Sequence, residues 1–319
     1  MVDDTTSEIS PHGNNGDMSA IHGAFEHRSK VLPRLPQLHP GGVPLDFRGP
    51  TPWSNYIIQG RVLAGAYPAT ISDEETHGIL RALLKVGVTT FVCLQAEYNN
   101  SVSDMSWKMG KTLRPYIKDA QRMIMDAKKA REGDTAGNDD LKNIHQTRLD
   151  LLHLPIVDGS VTSDGAISDL ADDCCQRILR GERLYIHCWG GHGRTGSLVA
   201  LILSRLYGLT ALDALHYTQK MHDVRVASQN TASPQTRAQI LQVLRIISQS
   251  DPKEYSEKFS WPHCTLLPFT ALEEQRWLKK IQQDPAMLSR GILKSSQNIH
   301  HDDENNDDDS KLIKSVSIV

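Results

Sequence analysis

The sequence predicts a single α/β domain, built on a central and mainly parallel β-sheet with helices on both faces. Short apolar runs typical of buried strands alternate along the chain with segments whose apolar residues recur at helical spacing. Consecutive strand, helix and strand segments require crossovers that pack helices against a parallel sheet. The apolar content of 39% is enough for a sizeable core. We place this domain at residues 51–285.

The domain is predicted to open with two short strands at residues 56–58 and 61–64, which flank a Gln-Gly turn. Ser72 or Asp73 is suited to cap a helix that ends at Gly87, because small polar side chains accept hydrogen bonds from free backbone amides. Residues 90–94 then form an apolar run of the buried-strand type. This order predicts the first crossover of the sheet.

Residues 103–132 have a helical pattern and lead into a polar loop, and we interpret residues 103–147 as a helical insertion that borders the site. After the insertion, strands and helices alternate again. The predicted strands are 149–154 and 184–186, and the predicted helices are 165–179, 196–207, one opened by Thr210 and one opened by Ser233-Pro234.

The two ends of the chain differ in composition from the middle. Residues 1–50 are rich in Gly, Pro, His, Ser and Asp without an apolar period, which predicts a disordered segment. Residues 286–319 include the acidic run 302–309, whose charges repel one another, and we expect a disordered, solvated tail.

Composition excludes several classes of protein. A net charge of −3 gives no sign of a nucleic-acid surface, and no run approaches the roughly 20 apolar residues that a membrane span needs. The five cysteines form no regular framework, which predicts a reduced cytoplasmic location and leaves the nucleus open. Without a CxxC pair or an HExxH motif, we expect no metal and no cofactor.

One segment combines a buried strand, a glycine-rich loop and the start of an apolar helix, at residues 184–203. Glycines let a backbone curl tightly, and loop amides together with a helix N-terminus attract an anion. Such a loop would hold the three non-bridging oxygens of a phosphoryl group. The expected phosphate-binding residues are Trp189, Gly190, Gly191, His192, Gly193 and Arg194.

Residue types at this loop indicate nucleophilic chemistry. Cys188 lies where the same positive field would stabilise a thiolate, which is a competent nucleophile near neutral pH. The planar guanidinium of Arg194 matches two phosphate oxygens. Thr195 is placed to donate a hydrogen bond to the sulfur when it leaves, and His187 is placed to orient the loop.

The string H-C-x-x-G-x-x-R-T-G at residues 187–196, between an apolar strand and an apolar helix, resembles the signature of the protein tyrosine phosphatase superfamily. The resemblance extends from about residue 55 to 250 and is greatest to compact dual-specificity members. It implies phosphate ester hydrolysis through a cysteinyl-phosphate, without a metal. It also implies a general acid on a loop after the preceding strand. Asp158, in an apolar-Pro-apolar-apolar-Asp pattern, fits that position better than its rival Asp164.

Two further features follow from the resemblance. Residues 233–239 are similar to the start of a late helix in several members, so that Gln239 is expected to position water near the site or to be a plain surface residue. Members that act on phosphoinositides often carry lysines in the loop, whereas here His192 is the one partial cation. Phosphotyrosine, phosphoserine and phosphothreonine proteins are therefore the expected substrates, with phosphoinositides or inositol phosphates as the alternative. The alternative from another class is a catalytically idle phosphate-binding scaffold.

Overall fold

The computed structural model describes residues 32–38, 42–132, 141–227 and 230–248. A five-stranded sheet lies at its centre, and helices cover both faces of that sheet. The predicted α/β class with a mainly parallel sheet is confirmed. The strands are β1 (Ser54–Ile58), β2 (Val62–Gly65), β3 (Thr90–Gln95), β4 (Asp150–Ile156) and β5 (Leu184–His187).

The helices of the described residues follow the predicted order, and a short 3-10 turn at Leu45–Phe47 precedes the first strand. They are α1 (Asp73–Lys85), α2 (Asp104–Lys108), α3 (Tyr116–Glu132), α4 (Asp164–Leu179), α5 (Gly193–Tyr207), α6 (Ala211–Asp223) and α7 (Arg237–Ser248).

The order of strands in the sheet is β1-β2-β5-β3-β4, with β1 antiparallel and the other four parallel. The carboxyl ends of the four parallel strands therefore meet at one edge. In open α/β sheets this is the edge where ligands bind. The segments that leave it begin at Ala66, Ala96, Val157 and Cys188.

Alternating side chains of each strand divide the core into two layers, as the period of two in a strand requires. Val92 and Ile186 pack against α4 and α5, whereas Phe91 and Tyr185 pack against α1 and α3. Outside α5, helices α6 and α7 add a third apolar cluster around Leu215. The loop between β5 and α5 is thus held at the centre of the domain.

Local signals placed several helix ends correctly. The hydroxyl of Ser72 accepts a hydrogen bond from the amide of Glu75, and the hydroxyl of Thr210 accepts one from the amide of Asp213. Helix α5 ends at Gly208, which has a left-handed φ of 65°, a conformation that glycine adopts without strain.

The structure differs from the predictions at two helices. The pattern at 103–132 predicted one helical stretch, but the chain leaves the helix after Lys108 and resumes at Tyr116. Gly110 has a φ of +69° there, and Pro115 disfavours helical geometry in the residue before it. Helix α5 begins at Gly193 and not at Gly196, so Arg194 and Thr195 lie in its first turn.

Part of the predicted disordered N-terminal segment is packed in the structure. Leu35 and Leu38 contact the core beside α5 and α6, and the hydroxyls of Tyr207 and Tyr217 donate to the carbonyls of Pro33 and Pro36 at 2.7 and 3.0 Å. The leucines of this segment recur at short intervals and cover part of the surface of α5 and α6. The predicted end of the domain near 285 and the predicted tail at 286–319 lie outside the described residues. No described helix has the length and apolar character to cross a membrane.

Candidate active site

The glycine-rich loop leaves β5 at Cys188 and curls into the first turn of α5 at Gly193. Gly191 has a φ of +72°, and a β-carbon there would lie 2.1 Å from the carbonyl oxygen of Gly65. A β-carbon at Gly193 would lie 2.6 Å from the side chain of Gln239. Glycine is therefore required at both positions for the loop to curl against β2 and α7.

Carbonyl groups of this loop accept hydrogen bonds from outside it. At one end, the carbonyl of Trp189 accepts from the amide of Tyr67 at 2.8 Å. At the other end, the carbonyl of His192 accepts from the hydroxyl of Ser233 at 3.0 Å. These bonds attach the loop to the segment after β2 and to the segment before α7.

The guanidinium of Arg225 binds the two carbonyls in the middle of the loop. Its Nη1 donates to Gly190 at 3.2 Å and its Nη2 to Gly191 at 3.0 Å, while its Nε donates to the side-chain oxygen of Asn55 at 2.6 Å. Four consecutive carbonyls, from 189 to 192, are thus directed outward. In a trans peptide the amide N–H points opposite to its carbonyl, so the following amides are directed to the inner side of the loop.

Those inner amides are available for an anion. Within the described residues, the amides of Gly190 and Gly191 donate no hydrogen bond to another protein group. Backbone donors that no protein group accepts are free to bind an anion. Together with the N-terminus of α5, they form a cradle for a negatively charged group beside Cys188.

His187, the last residue of β5, forms hydrogen bonds with the loop and with α3. Its Nδ1 lies 3.3 Å from the carbonyl of Cys188, and its Nε2 lies 2.7 Å from the hydroxyl of Tyr116. Because a carbonyl only accepts, Nδ1 carries the proton and Nε2 accepts from Tyr116. Burial lowers the pKa of His187 to about 3, so the imidazole is neutral at physiological pH.

Arg194 lies in the first turn of α5 with only 1% of its side chain exposed. Its Nη1 donates to a carboxylate oxygen of Glu97 at 3.0 Å and to the carbonyl of Ile156 at 2.9 Å. Burial opposes its charge, but Cys188 and two carboxylates, those of Glu97 and Asp158, outweigh it and raise the pKa of Arg194. The guanidinium is therefore a permanent cation at the base of the site.

Asp158 is the acidic residue that the structure brings to Arg194. Its Oδ1 accepts from Nη2 of Arg194 at 2.8 Å, and 64% of its side chain is exposed. The rival Asp164 is instead the first residue of α4 and binds the guanidinium of Arg245 at 2.6 Å, which lowers the pKa of Asp164. Of the two candidates, only Asp158 lies next to Cys188 in the same pocket.

Two buried polar atoms at this place lack a partner within the described residues: Nε of Arg194 and the hydroxyl of Thr195. The Nε and Nη2 groups form one edge of the guanidinium fork, which matches two oxygens of a phosphate. Within the described part of the chain, Nη2 is held only by the exposed Asp158, so a phosphate can replace that carboxylate along the whole edge.

Gln239 lies at the first turn of α7, where its side chain is 1% exposed. Its oxygen accepts from the amides of Gln235 and Thr236 at 3.1 Å each, and its nitrogen donates to the carbonyl of Ser160 at 3.1 Å. The alternative of a plain surface residue is wrong. The side chain joins the loop that carries Asp158 to the start of α7.

A pocket of about 540 Å³ opens above the cradle. Trp189 forms one wall and stacks on Tyr67, with ring centroids 6.1 Å apart and an interplanar angle of 17°. His192 is also part of the lining, but its Nδ1 lies 2.7 Å from Nε2 of His222. The lining residues are Trp53, Ala66, Tyr67, Ala69, Thr70, Ile79, Asp158, Cys188, Trp189, Gly190, His192, Gly193 and Gln235.

Metal ligands are not clustered at this site or elsewhere in the described part of the chain. No group of three or more His, Cys, Asp or Glu side chains there has the geometry to hold a metal ion. The positive charge of the site is supplied by Arg194 and by the loop amides.

Sequence reasoning missed three residues of this site. Glu97 follows β3, Tyr116 begins α3, and Arg225 follows α6, each in a segment without a recognisable motif. For Glu97 a signal was present, because it follows directly on a buried strand, where site residues of parallel sheets occur. For Tyr116 and Arg225 the sequence offers no comparable signal.

The segment that contains this loop matches a known family model. Residues 138–258 match the family model described as "PTP-SAK: Swiss Army Knife protein, DSP-PTPase phosphatase domain". A search of the curated proteins finds no match.

Three solved structures that are similar to this chain are 15–20% identical to it in sequence. The active form of Tk-PTP is 20% identical, with a TM-score of 0.38 over 62% of this chain and 97% of that chain. PTPMT1 in complex with PI(5)P is 16% identical, with a TM-score of 0.38 over 65% and 98%. The human tyrosine phosphatase-like serine/threonine/tyrosine-interacting protein is 15% identical, with a TM-score of 0.37 over 64% and 95%. At these values the likenesses carry no argument about activity.

The resemblance that residues 187–196 indicated therefore rests on the loop itself and on the family match across it. Over residues 138–258 the chain is similar to phosphatase domains of the dual-specificity and protein tyrosine phosphatase type.

Proposed function

We propose that this domain hydrolyses phosphate monoesters through a cysteinyl-phosphate on Cys188. The observation that carries the proposal is the cradle. Outward bonds from four consecutive carbonyls direct the loop amides inward, beside Cys188 and Arg194. Preorganised donors of this kind stabilise the charge of a phosphoryl group without reorganisation during the reaction.

The first step transfers the phosphoryl group. The Cys188 thiolate forms an S–P bond while the bond between phosphorus and the leaving oxygen breaks, and Asp158 donates a proton to that oxygen. Arg194 and the loop amides bind the three non-bridging oxygens. A positioned general acid contributes on the order of 10²–10⁴-fold to such a step.

The second step regenerates the enzyme. Water attacks phosphorus, Asp158 accepts a proton from that water, and the S–P bond breaks to release phosphate and the thiolate. Support for a role of Thr195 comes from its buried hydroxyl, which has no partner within the described residues. This hydroxyl would donate a hydrogen bond to the departing sulfur.

For the substrate, we propose a phosphorylated protein side chain. The pocket walls are apolar or aromatic at Trp53, Tyr67, Ile79 and Trp189, and no lysine or arginine belongs to its lining within the described residues. His192, which was the one candidate cation of the loop, is paired with His222, whose pKa burial lowers to about 4. A phosphorylated side chain, which carries one phosphate group on a less polar framework, fits this lining better than an inositol with several phosphates.

An idle phosphate-binding scaffold is less well supported. Binding alone needs the amides and Arg194, but it does not need a thiol at the centre of the cradle or a carboxylate at its rim. The placement of Asp158 beside Arg194 favours an enzyme. A cytoplasmic location stays a prediction from the cysteine usage.

The test compares turnover of an aryl phosphate by the full chain, by Cys188→Ser and by Cys175→Ala, a buried cysteine of α4 that serves as the matched control. We expect Cys188→Ser to abolish turnover and retain phosphate binding, and the control to remain active. Acid-quenched wild type should contain a phosphate adduct on the peptide with Cys188. Turnover by Cys188→Ser, or an inactive wild type that binds phosphate, would overturn the proposal.

A second comparison addresses the substrate class. Phosphotyrosine, phosphoserine and phosphothreonine peptides are assayed beside soluble inositol phosphates and phosphoinositide vesicles, and kcat/KM is compared. We expect the peptides to be preferred by at least tenfold. Preference for an inositol phosphate or a phosphoinositide would refute the protein substrate and leave the chemistry at Cys188 intact.

A further inference from the structure

A second buried arginine lies behind the loop. Only 4% of Arg225 is exposed, and all three of its hydrogen-bonding nitrogens contact neutral groups, namely Asn55, Gly190 and Gly191. Within the described residues, no carboxylate lies within ion-pair distance of its guanidinium. Burial lowers the pKa of Arg225 to about 10, which leaves it charged at neutral pH.

An unpaired buried cation is costly, because it loses its hydration without the compensation of an ion pair. Buried ionisable groups with strongly perturbed pKa values cluster at functional sites. Arg225 interacts electrostatically with Cys188, from the side of the loop opposite to the amides. The sulfur is therefore the natural counter-ion for this guanidinium.

The other ionisable groups around Cys188 do not supply that anion. Tyr185 and Cys93 are neutral because burial raises the pKa of each, that of Cys93 to about 12, and His187 is neutral because burial lowers its pKa. Arg194 is already paired with Glu97 and Asp158. The charged groups that face the sulfur are thus Arg194 and Arg225, with Asp158 at the rim.

We propose that Arg225 is a positioning residue of the phosphatase site, which aligns the loop peptides through their carbonyls and stabilises the Cys188 thiolate with its charge. This inference rests on the proposed function of Cys188. Both roles of Arg225 depend on the same contact, which is the one between its guanidinium and the loop carbonyls. Binding the carbonyls of Gly190 and Gly191 fixes their amides inward, and the same contact brings a full positive charge against the back of the loop.

The test measures how fast iodoacetamide alkylates Cys188 as a function of pH, by mass spectrometry of the tryptic peptide 184–194. The variants are Arg225→Met, which removes the charge, and Arg225→Lys, which keeps it without the fork. Arg205→Met is the matched control, because Arg205 lies on α5 but binds Asp172 and the carbonyl of Ser168. Near-ultraviolet circular dichroism and thermal melts establish that each variant is folded.

For Arg225→Met we expect the midpoint of alkylation to rise by about one pH unit. Removal of a nearby positive charge raises the pKa of an acidic group by about 1–3 units. That shift gives about tenfold slower alkylation on the acidic side and a matching shift in the acidic limb of kcat/KM. Arg225→Lys should shift the midpoint less while still lowering kcat, and Arg205→Met should shift neither. If the methionine variant does not fold, Arg225→Gln is used for the same comparison.

A merely structural role of Arg225 would lower activity without moving the midpoint, and a folded methionine or glutamine variant with the wild-type midpoint overturns the inference. Equal shifts in the methionine and lysine variants also overturn it, because charge would then not be the cause. Failure of the proposed function has a different signature. In that case the wild type would lack turnover and would form no phosphate adduct on Cys188.

Discussion

Asp158 accepts a hydrogen bond from Nη2 of Arg194 across 2.8 Å, so the proposed proton donor and the proposed phosphate-binding group are paired with each other. The carboxylate occupies one half of the guanidinium edge that a phosphate needs, and the other half, Nε, has no partner within the described residues. In the proposed mechanism, substrate binding exchanges one anion for another at Arg194. This exchange also frees Asp158 to reach the leaving oxygen.

Replacement of Asp158 should affect binding and catalysis in opposite directions. In Asp158→Asn we expect kcat on an aryl phosphate to fall by about 10²–10⁴-fold, because the general acid is lost. Phosphate should bind several-fold more tightly, because no carboxylate competes for Arg194. Steady-state kinetics and isothermal titration with phosphate measure the two effects. Asp164→Asn is the control and should keep kcat within a few-fold of wild type; an equal loss in that variant would point to the wrong acid.

Gly191 should tolerate no side chain. Gly191→Ala introduces a β-carbon 2.1 Å from the carbonyl oxygen of Gly65 at a residue with φ of +72°. We expect a loss of about 1–3 kcal/mol in the free energy of unfolding and about 10²-fold in kcat/KM, since the cradle must shift. Urea denaturation and initial rates provide the measurements. The control is Gly165→Ala in α4, where nothing lies within 4 Å of the added β-carbon; comparable damage there would contradict the explanation.

Stability should decline as the pH falls below about 6.5. Burial lowers the pKa of His187 to about 3 and that of His222 to about 4, so both stay neutral in the folded protein while the unfolded chain binds protons from about pH 6.5 downward. Each histidine then removes about 1.4 kcal/mol of unfolding free energy per pH unit. Carboxylates titrate at lower pH, so the change in unfolding free energy between pH 6.5 and 5 reports on the histidines.

Urea unfolding at pH 7.0 and 5.0 tests this expectation. His222→Asn should reduce the dependence on pH by about half, whereas His145→Gln should leave it unchanged, because that side chain is exposed in the folded protein. Equal stability of the wild type at both pH values would show that the two imidazoles are not buried as described.

Chelation should not affect the reaction. The proposed chemistry draws its positive charge from Arg194 and from backbone amides, so dialysis against EDTA should leave kcat and KM within error of the untreated protein. Activity on an aryl phosphate before and after dialysis measures this. Strong inhibition that added Mg²⁺ or Zn²⁺ reverses would count against the scheme.

The strand, loop and helix around Cys188 could be predicted from the sequence because each depends on local signals. An apolar run, glycines and helical spacing follow one another within residues 184–203. Helix caps at Ser72 and Thr210 were predictable for the same reason. The break between α2 and α3 was not, since Gly110 and Pro115 lie in a stretch whose apolar spacing continues to be helical.

The partners of the loop could not be predicted, because they depend on the order of strands and not on neighbouring residues. Glu97 reaches Arg194 since β3 lies next to β5, and Asn55 reaches Arg225 since β1 closes the other side of β2. A sequence does not specify which strand ends adjoin until the crossovers are known. Gln239 was expected either near the site or as a plain surface residue, and its bond to Ser160 depends on where α7 packs.

Dependence of the cradle on distant segments has a practical consequence for the minimal catalytic fragment. The family match begins at residue 138, yet the groups that hold the loop from outside or below include Asn55, Tyr67 and Tyr116, all upstream of it. A recombinant fragment of residues 138–258 would retain Cys188 and Arg194. It would lose β1, β2 and β3, which lie on both sides of β5. Expression vectors for enzymology should therefore begin before Leu32, where the packed leucines start.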